Sequence, residues 1–371
     1  MRKMKYPDEG LFEQNFIKIF QVELGRMQTR WTSLRAFYPE LSPYPTNVMD
    51  FFTANFLQLS VWYNNFMNIP LARRNEINRK LEHNLFDYDH WSSAIAEYFK
   101  EPANGFNLVS CVYCDMAYVN AYEVDPDSEA IYILNNAPDD ELMKKLCTKS
   151  SNSLNVVKHA RPFKTRADFD RIGALLRWAP NKYDKVFKPN YRFKHHFDLD
   201  HVLPKSRCRL VSLSLYNFVP SCQVCNQRLK KAKVLGIMGV ANEKLSPTSP
   251  NFDFESQVHF HIIPQKGVKA GGLRPSIRPY DYELQLTPLD SDYNVLVKVF
   301  KLQERYAHHK IKALHWLEMK CKYTDARISM MANALHHPSF SFKRIKSDIF
   351  QDELYKEGSM CFSKLRGDML K

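Results

Sequence analysis

Between residue 11 and about residue 100 the apolar positions recur at helical spacing. Phe12, Phe16, Ile17, Phe20 and Leu24 form one stripe, and Phe51, Phe52, Phe56 and Leu57 form another. Only Gly25 interrupts the pattern, while Pro43, Pro45 and Pro70 divide it into helices of ordinary length. This predicts an α-helical N-terminal region over 1–105 whose Met and aromatic stripes serve as core.

The period changes at Leu108. LVSCVYC, AYVNAYEV and AIYIL read as short strands separated by polar turns. Helices are expected at 138–150 and 167–178, then extended chain at YRFKHHFDLDHVLP and a short basic helix at NQRLKKAK. Beyond a Pro/Ser stretch at 246–250, VHFHII and VLVKVFKL read as strands, with a flexible seam at 266–272 (KGVKAGG) and helices to the end. The expectation is an α+β protein in three parts: the helical region 1–105, a central core at 106–235, and a mixed strand and helix region at 236–371.

Composition narrows this picture. A chain of 371 residues, 44% hydrophobic and 25% charged, is long enough to bury a sizeable core. Its 53 Lys and Arg against 40 Asp and Glu leave a formal charge of +13, which favours a polyanionic partner without naming it. No apolar run approaches the ~18 residues needed to cross a bilayer, and the basic N-terminus MRKMKYPDEGLFEQ has no apolar stretch behind it. A cytoplasmic protein is expected.

The eight cysteines then change meaning, because a reducing compartment disfavours a disulfide framework. Four of them form two C-x-x-C pairs, Cys111/Cys114 and Cys222/Cys225. Random placement would give only about 0.2 such pairs in a chain of this length. Each pair lets one turn of backbone present two thiolates, and two pairs complete a closed tetrahedral zinc site with no open position for substrate. Zinc there would be structural. Cys147, Cys208, Cys321 and Cys361 stand alone and read as inert thiols.

Next to that site lie the dipeptide Asp200-His201, at the end of an extended segment, and Asn226, directly after the last zinc cysteine. A carboxylate and an amide oxygen are hard ligands suited to Mg²⁺, and an imidazole beside them can take a proton from water. Phosphodiester hydrolysis asks for such a set.

In sequence order the chain carries C-x-x-C, Asp200-His201 with a Pro-containing loop, Asn217, then C-x-x-C-Asn226 and a basic helix. This order resembles the HNH, or ββα-metal, endonucleases. More narrowly, CVYCDMAYVNAY, DLDHVLPKS and SLSLYNFVPSCQVCN resemble a bacterial subfamily whose members often serve in anti-phage defence, sometimes beside an ATPase subunit. The resemblance covers about 110–235. It implies a metal-dependent endonuclease acting on DNA, with Asp200 and Asn226 binding a catalytic Mg²⁺ or Mn²⁺ and His201 as general base. Asn217 would fix the loop that orients His201, Lys230 or Arg228 would reach the scissile phosphate, and Asp198 would assist through a water.

A compact core of this kind needs only a short connection between Cys114 and Asp200, yet 115–199 intervene, so an insertion is expected there. It reads as a surface elaboration or as an element contacting DNA or a partner. His195 and His196 read as an exposed pair. His259 and His261 share one face of a strand and could otherwise ligate a second metal, while His308 and His309 have no partner carboxylate at a diagnostic spacing. Alternative readings are an RNA-cleaving toxin on the same scaffold, a non-catalytic zinc-stabilised nucleic-acid-binding protein, and a decayed subunit of an ATPase complex. The set Asp200, His201 and Asn226 argues against the last two.

Overall fold

The computed structural model describes residues 1–7, 9–106, 109–119, 121–123, 125–179, 185–187, 193–195, 197–236, 240–265, 279–352, 355 and 360–371. The seam at 266–272 and His196 lie outside them. The chain is α+β, mostly helical, with small two-stranded antiparallel sheets. It divides into two compact units, Met1–Asn120 with His196–Lys371, and Ala121–His195. No described helix is long and apolar enough to cross a membrane.

In the larger unit the N-terminal stripes become helices at Glu9–Ile17, Leu24–Phe37, Met49–Thr53, Phe56–Met67, Leu71–Asn84 and Tyr88–Lys100. Their starts follow local chemistry. Asn55 accepts from the Gln58 backbone N–H at 3.0 Å while Gln58 accepts from that of Asn55 at 3.1 Å, a reciprocal cap, and Asp87 caps the helix that begins at Tyr88. Phe16, Phe20, Trp31, Phe51, Phe52 and Phe56 are all buried in one cluster. Each such side chain contributes about 1.5–3 kcal/mol on burial. The same cluster takes in Cys111–Cys114, Phe218 and, from the C-terminal region, Phe260, Phe300 and Tyr306.

The smaller unit has its own core of Leu134, Leu142, Leu146, Leu154, Val157, Phe163, Phe169 and Phe187. Strands β1 (Ala121–Glu123) and β2 (Phe193–His195) pair antiparallel, bringing its two ends together. Helices Pro126–Asn136, Asp139–Lys145, Ser151–His159 and Arg166–Leu175 lie between.

In the larger unit β3 (Asp198–His201) pairs with β4 (Phe218–Ser221), with Asp200 opposite Val219 and His201 opposite Phe218. Further on, β5 (Val258–Pro264) pairs with β6 (Tyr282–Pro288).

Some expected strands are helices. AIYIL lies within Pro126–Asn136, where Pro at the first turn and an Asp125 cap on the Asp127 N–H start a helix that an apolar run alone does not reveal. VLVKVFKL runs through the helix Asn294–Val299 to the first residue of the helix Leu302–Ala307, and Leu296, Phe300, Leu302 and Tyr306 along this stretch are buried. Leu296 and Phe300 are four apart, and a β-branched run yields to that buried helical face. Among the described residues of LVSCVYC and AYVNAYEV, only a bridge between Ser110 and Tyr118 and the strand β1 are extended pairs, because the first C-x-x-C occupies the tight turn between Ser110 and Tyr118.

Candidate metal centre and active site

The four cysteines converge although more than a hundred residues separate the pairs. Their Sγ atoms all lie within 4.8 Å of one another, and Cys114 and Cys222 are 4.0 Å apart. A tetrahedron with Zn–S near 2.3 Å has sulfur–sulfur edges of about 3.8 Å, so the buried donor set fits a structural Zn²⁺. Among the described residues no other group of three or more His, Cys, Asp or Glu could hold a metal. Hydrogen bonds from the neighbouring thiols hold the Cys114 thiol far below its ordinary range, and Arg305 lowers it further.

Backbone bonds shape the first cysteine turn. The Cys111 N–H donates to Ala117 O and the Asp115 N–H to Cys111 O, both at 2.8 Å. Asp115, at φ 55°, is buried and bonded by Arg2, by Ser110 Oγ at 2.6 Å and by the Lys364 N–H at 3.1 Å. The second pair is carried by β4 and the turn after it. The Cys222 N–H donates to Cys111 Sγ at 3.2 Å, which joins the two turns directly.

The C-terminal region braces this centre. Gln303 hydrogen-bonds the β6 backbone at Leu286 N (2.7 Å) and Leu284 O (2.8 Å), anchoring Leu302–Ala307. From that helix Arg305 Nη1 reaches Cys225 Sγ at 3.3 Å and the Tyr306 hydroxyl donates to Cys114 O at 2.7 Å. A cation beside the thiolates offsets their charge. Neither residue carries a sequence signal, because each acts on a cysteine at least 80 positions away.

Asp200 lies next to this centre. Its Oδ2 accepts from the Tyr113 hydroxyl at 2.6 Å and from Lys230 Nζ at 2.9 Å, and its Oδ1 accepts from Lys230 at 3.1 Å. Burial raises the Asp200 carboxyl above its usual range, against the pull of Lys230 and Tyr113. Burial also pushes the Tyr113 phenol well up, so the hydroxyl stays a donor.

Lys230 was expected to face a phosphate. The structure buries its side chain completely and points Nζ at Asp200 and, at 2.7 Å, at His201 O. The reason is local: Val224–Lys230 is a π-helix, closed by the Lys231 N–H on Asn226 O at 2.7 Å, and the buried carboxylate needs a counter-ion. Arg228 is exposed on the same turn.

The His201 ring is buried, with Tyr88 (4.5 Å between centroids) and Phe218 (4.9 Å) edge-on to it. Its Nε2 lies 3.0 Å from Ser212 O. A carbonyl only accepts, so Nε2 carries the proton and Nδ1 keeps its lone pair. Among the described residues nothing hydrogen-bonds Nδ1. Burial pushes the His201 pKa down to about 3. The nearby charges on Lys205, Lys230 and Arg209 act in the same direction.

The loop after His201 is tied on both sides. Asn217 Oδ1 accepts from the Leu203 N–H at 2.8 Å, and its Nδ2 donates to Leu203 O at 3.0 Å and Val211 O at 2.8 Å. From the N-terminal helices, Asn78 bonds Arg207 O (2.8 Å) and the Arg209 N–H (2.9 Å), while Phe86 O accepts from Ser212 Oγ at 3.0 Å.

Asn226 is half-buried. Its Nδ2 donates to Asp198 Oδ2 at 3.2 Å, and Gln227 joins the same oxygen at 3.0 Å. No described hydrogen bond links Asn226 to Asp200 or His201. The bond to Asp198 fixes the amide so that Oδ1 is left as acceptor.

The remaining histidines lie elsewhere. His259 Nδ1 is 3.7 Å from Asp368 Oδ1, His261 and His308 are exposed, and the His309 ring meets Phe362 at 4.6 Å. His195 falls in β2. Comparisons with protein families, curated proteins and solved structures give no match to this chain.

Proposed function

We infer that this chain is an HNH-type endonuclease that hydrolyses phosphodiester bonds, with DNA as the substrate and a structural zinc in the four-cysteine site. One observation carries the reading: His201, with a protonated Nε2 on Ser212 O and an unengaged Nδ1, sits at the end of a hairpin that also carries Asp200 and leads into the helix bearing Asn226.

The donors fit a hard divalent cation. Each carboxylate oxygen has two lone pairs, so Asp200 Oδ1 retains one beside Lys230, and Asn226 Oδ1 adds an uncharged oxygen. These two residues would hold Mg²⁺ or Mn²⁺, which when bound offsets charge on the leaving oxygen.

The chain's own groups supply the rest. His201 Nδ1 takes the proton from the attacking water, and the Nε2 bond to Ser212 O keeps the ring oriented as it becomes a cation. A scissile phosphate beside the ring raises its low pKa towards the working range. Asn217 holds the loop that carries Ser212 O within reach. Lys205, half-exposed, paired with Asp89 at 2.7 Å and within electrostatic range of His201, and Arg228, exposed two residues after Asn226, would meet a phosphate. The charge of +13 supports a polyanionic substrate.

The test is to incubate the purified chain with plasmid, single-stranded DNA and total RNA, with and without Mg²⁺ or Mn²⁺. Cation-dependent nicking of DNA is expected. Cleavage of RNA alone would move the substrate to RNA, and no cleavage of any of them under either cation would overturn the reading.

A further inference from the structure

Tyr113 is one of the two residues enclosed by the first C-x-x-C, and its side chain reaches outside the cysteine cluster. The ring is fully buried and stacked on Phe300, with centroids 4.4 Å apart and planes 19° apart. Its hydroxyl donates to Asp200 Oδ2 at 2.6 Å, across 87 positions of sequence. We propose that Tyr113 is a positioning residue that transmits the geometry of the four-cysteine centre to Asp200 and so sets the carboxylate's orientation for a divalent cation.

Cys114 follows Tyr113 directly and Cys111 lies two residues before it, so a bound zinc fixes its backbone from two sides. Tyr has two side-chain torsions and no floppy stem, and the Phe300 stack removes freedom from both. The hydroxyl is therefore a fixed point. Asp200 can still rotate about its last torsion, which has a broad, two-fold preference. Two side-chain donors hold that rotation, Tyr113 from the first cysteine turn and Lys230 from the helix after the second. Lys230 is buried and also held by His201 O, but its side chain has more torsions than that of Tyr113, so the Tyr113 hydroxyl is the stiffer of the two donors. With Oδ2 occupied by both donors, Oδ1 is the oxygen left with the freer lone pair. Tyr113 thus acts one bond away from the cation, as supporting partners of metal ligands do.

The inference rests on Asp200 being a cation ligand, and the experiment separates the two claims. Zinc content, melting temperature and equilibrium Mn²⁺ affinity by electron paramagnetic resonance are measured on the full-length wild type, Tyr113→Phe and Asp200→Ala, alongside DNA nicking across a range of Mn²⁺ concentrations. Tyr113→Phe keeps ring and volume. It should retain one zinc per chain, bind Mn²⁺ about 10-fold more weakly, and recover its nicking rate when Mn²⁺ is raised by the same factor. A variant whose fold was simply damaged would not be rescued by Mn²⁺. Phe300→Leu, which loosens the ring but leaves the hydroxyl, should shift Mn²⁺ affinity the same way by less, and decides the matter if Tyr113→Phe does not fold. Wild-type binding that depends on Asp200 but is unchanged in Tyr113→Phe overturns the role of Tyr113 alone. Wild-type binding no tighter than that of Asp200→Ala overturns the cation site and this inference with it.

Discussion

Replacing Lys230 by Met tests the buried pair at the heart of the site. The side chains are 0% and 4% exposed, so the substitution strands the Asp200 carboxylate with Tyr113 as its remaining side-chain donor. Breaking a buried pair by removing one partner costs about 3–5 kcal/mol. The stranded group also has a way out, because it can take a proton. With an ordinary Asp value of 3.8, protonation at pH 7 costs about 4 kcal/mol at ~1.36 kcal/mol per unit, which caps the electrostatic part of the loss. At pH 5 the cap falls to about 1.6 kcal/mol. The sign follows: the folded variant holds a proton on Asp200 that the unfolded chain has released, so its deficit relative to wild type shrinks as pH falls from 7 to 5. Of the five tryptophans only Trp178 lies in the smaller unit, so fluorescence-detected urea unfolding in a Trp178→Phe background reports the larger one. The double variant Asp200→Asn/Lys230→Met should regain most of the loss. A single-variant cost below about 1 kcal/mol at pH 7, or one that does not fall at pH 5, refutes the reasoning.

Other consequences follow from the same contacts. Cys225→Ser should lose bound zinc, read by atomic absorption, and melt at a lower temperature; a zinc-free variant of normal stability contradicts a structural four-cysteine site. Asn217→Ala leaves the Leu203 N–H, Leu203 O and Val211 O without that partner and should cost about 3 kcal/mol in urea unfolding. With no divalent cation added, His201 should stay neutral from pH 8 to pH 5 in a histidine NMR titration. Its pKa is depressed from 6.5 to about 3, so the stability it contributes is complete above 6.5 and is lost as pH falls towards 3. A His201 resonance that titrates near 6.5 contradicts that burial.

The sequence was most legible where the signal is local. The two C-x-x-C pairs announce themselves by spacing, and the structure brings their four sulfurs together. The aromatic stripes of the N-terminal region mark helices because their period is visible within a few turns. AIYIL and VLVKVFKL mislead because an apolar or β-branched run suits either period, and the buried face decides. Lys230 misleads for a finer reason: helical spacing gives its face but not the π-turn, nor the carboxylate it neutralises. Tyr113 and Arg305 were not legible, since their partners lie 87 and 80 positions away.

The most direct test of the central claim is plasmid nicking with Mg²⁺ or Mn²⁺ by wild type and His201→Ala, with zinc content and circular dichroism recorded on the same samples. Cation-dependent nicking by wild type is expected, abolished by EDTA and restored by Mg²⁺ or Mn²⁺ without added zinc, and none by the variant at unchanged zinc and fold. A His201→Ala protein that cleaves at the wild-type rate, or activity that returns only on adding zinc, would contradict that claim.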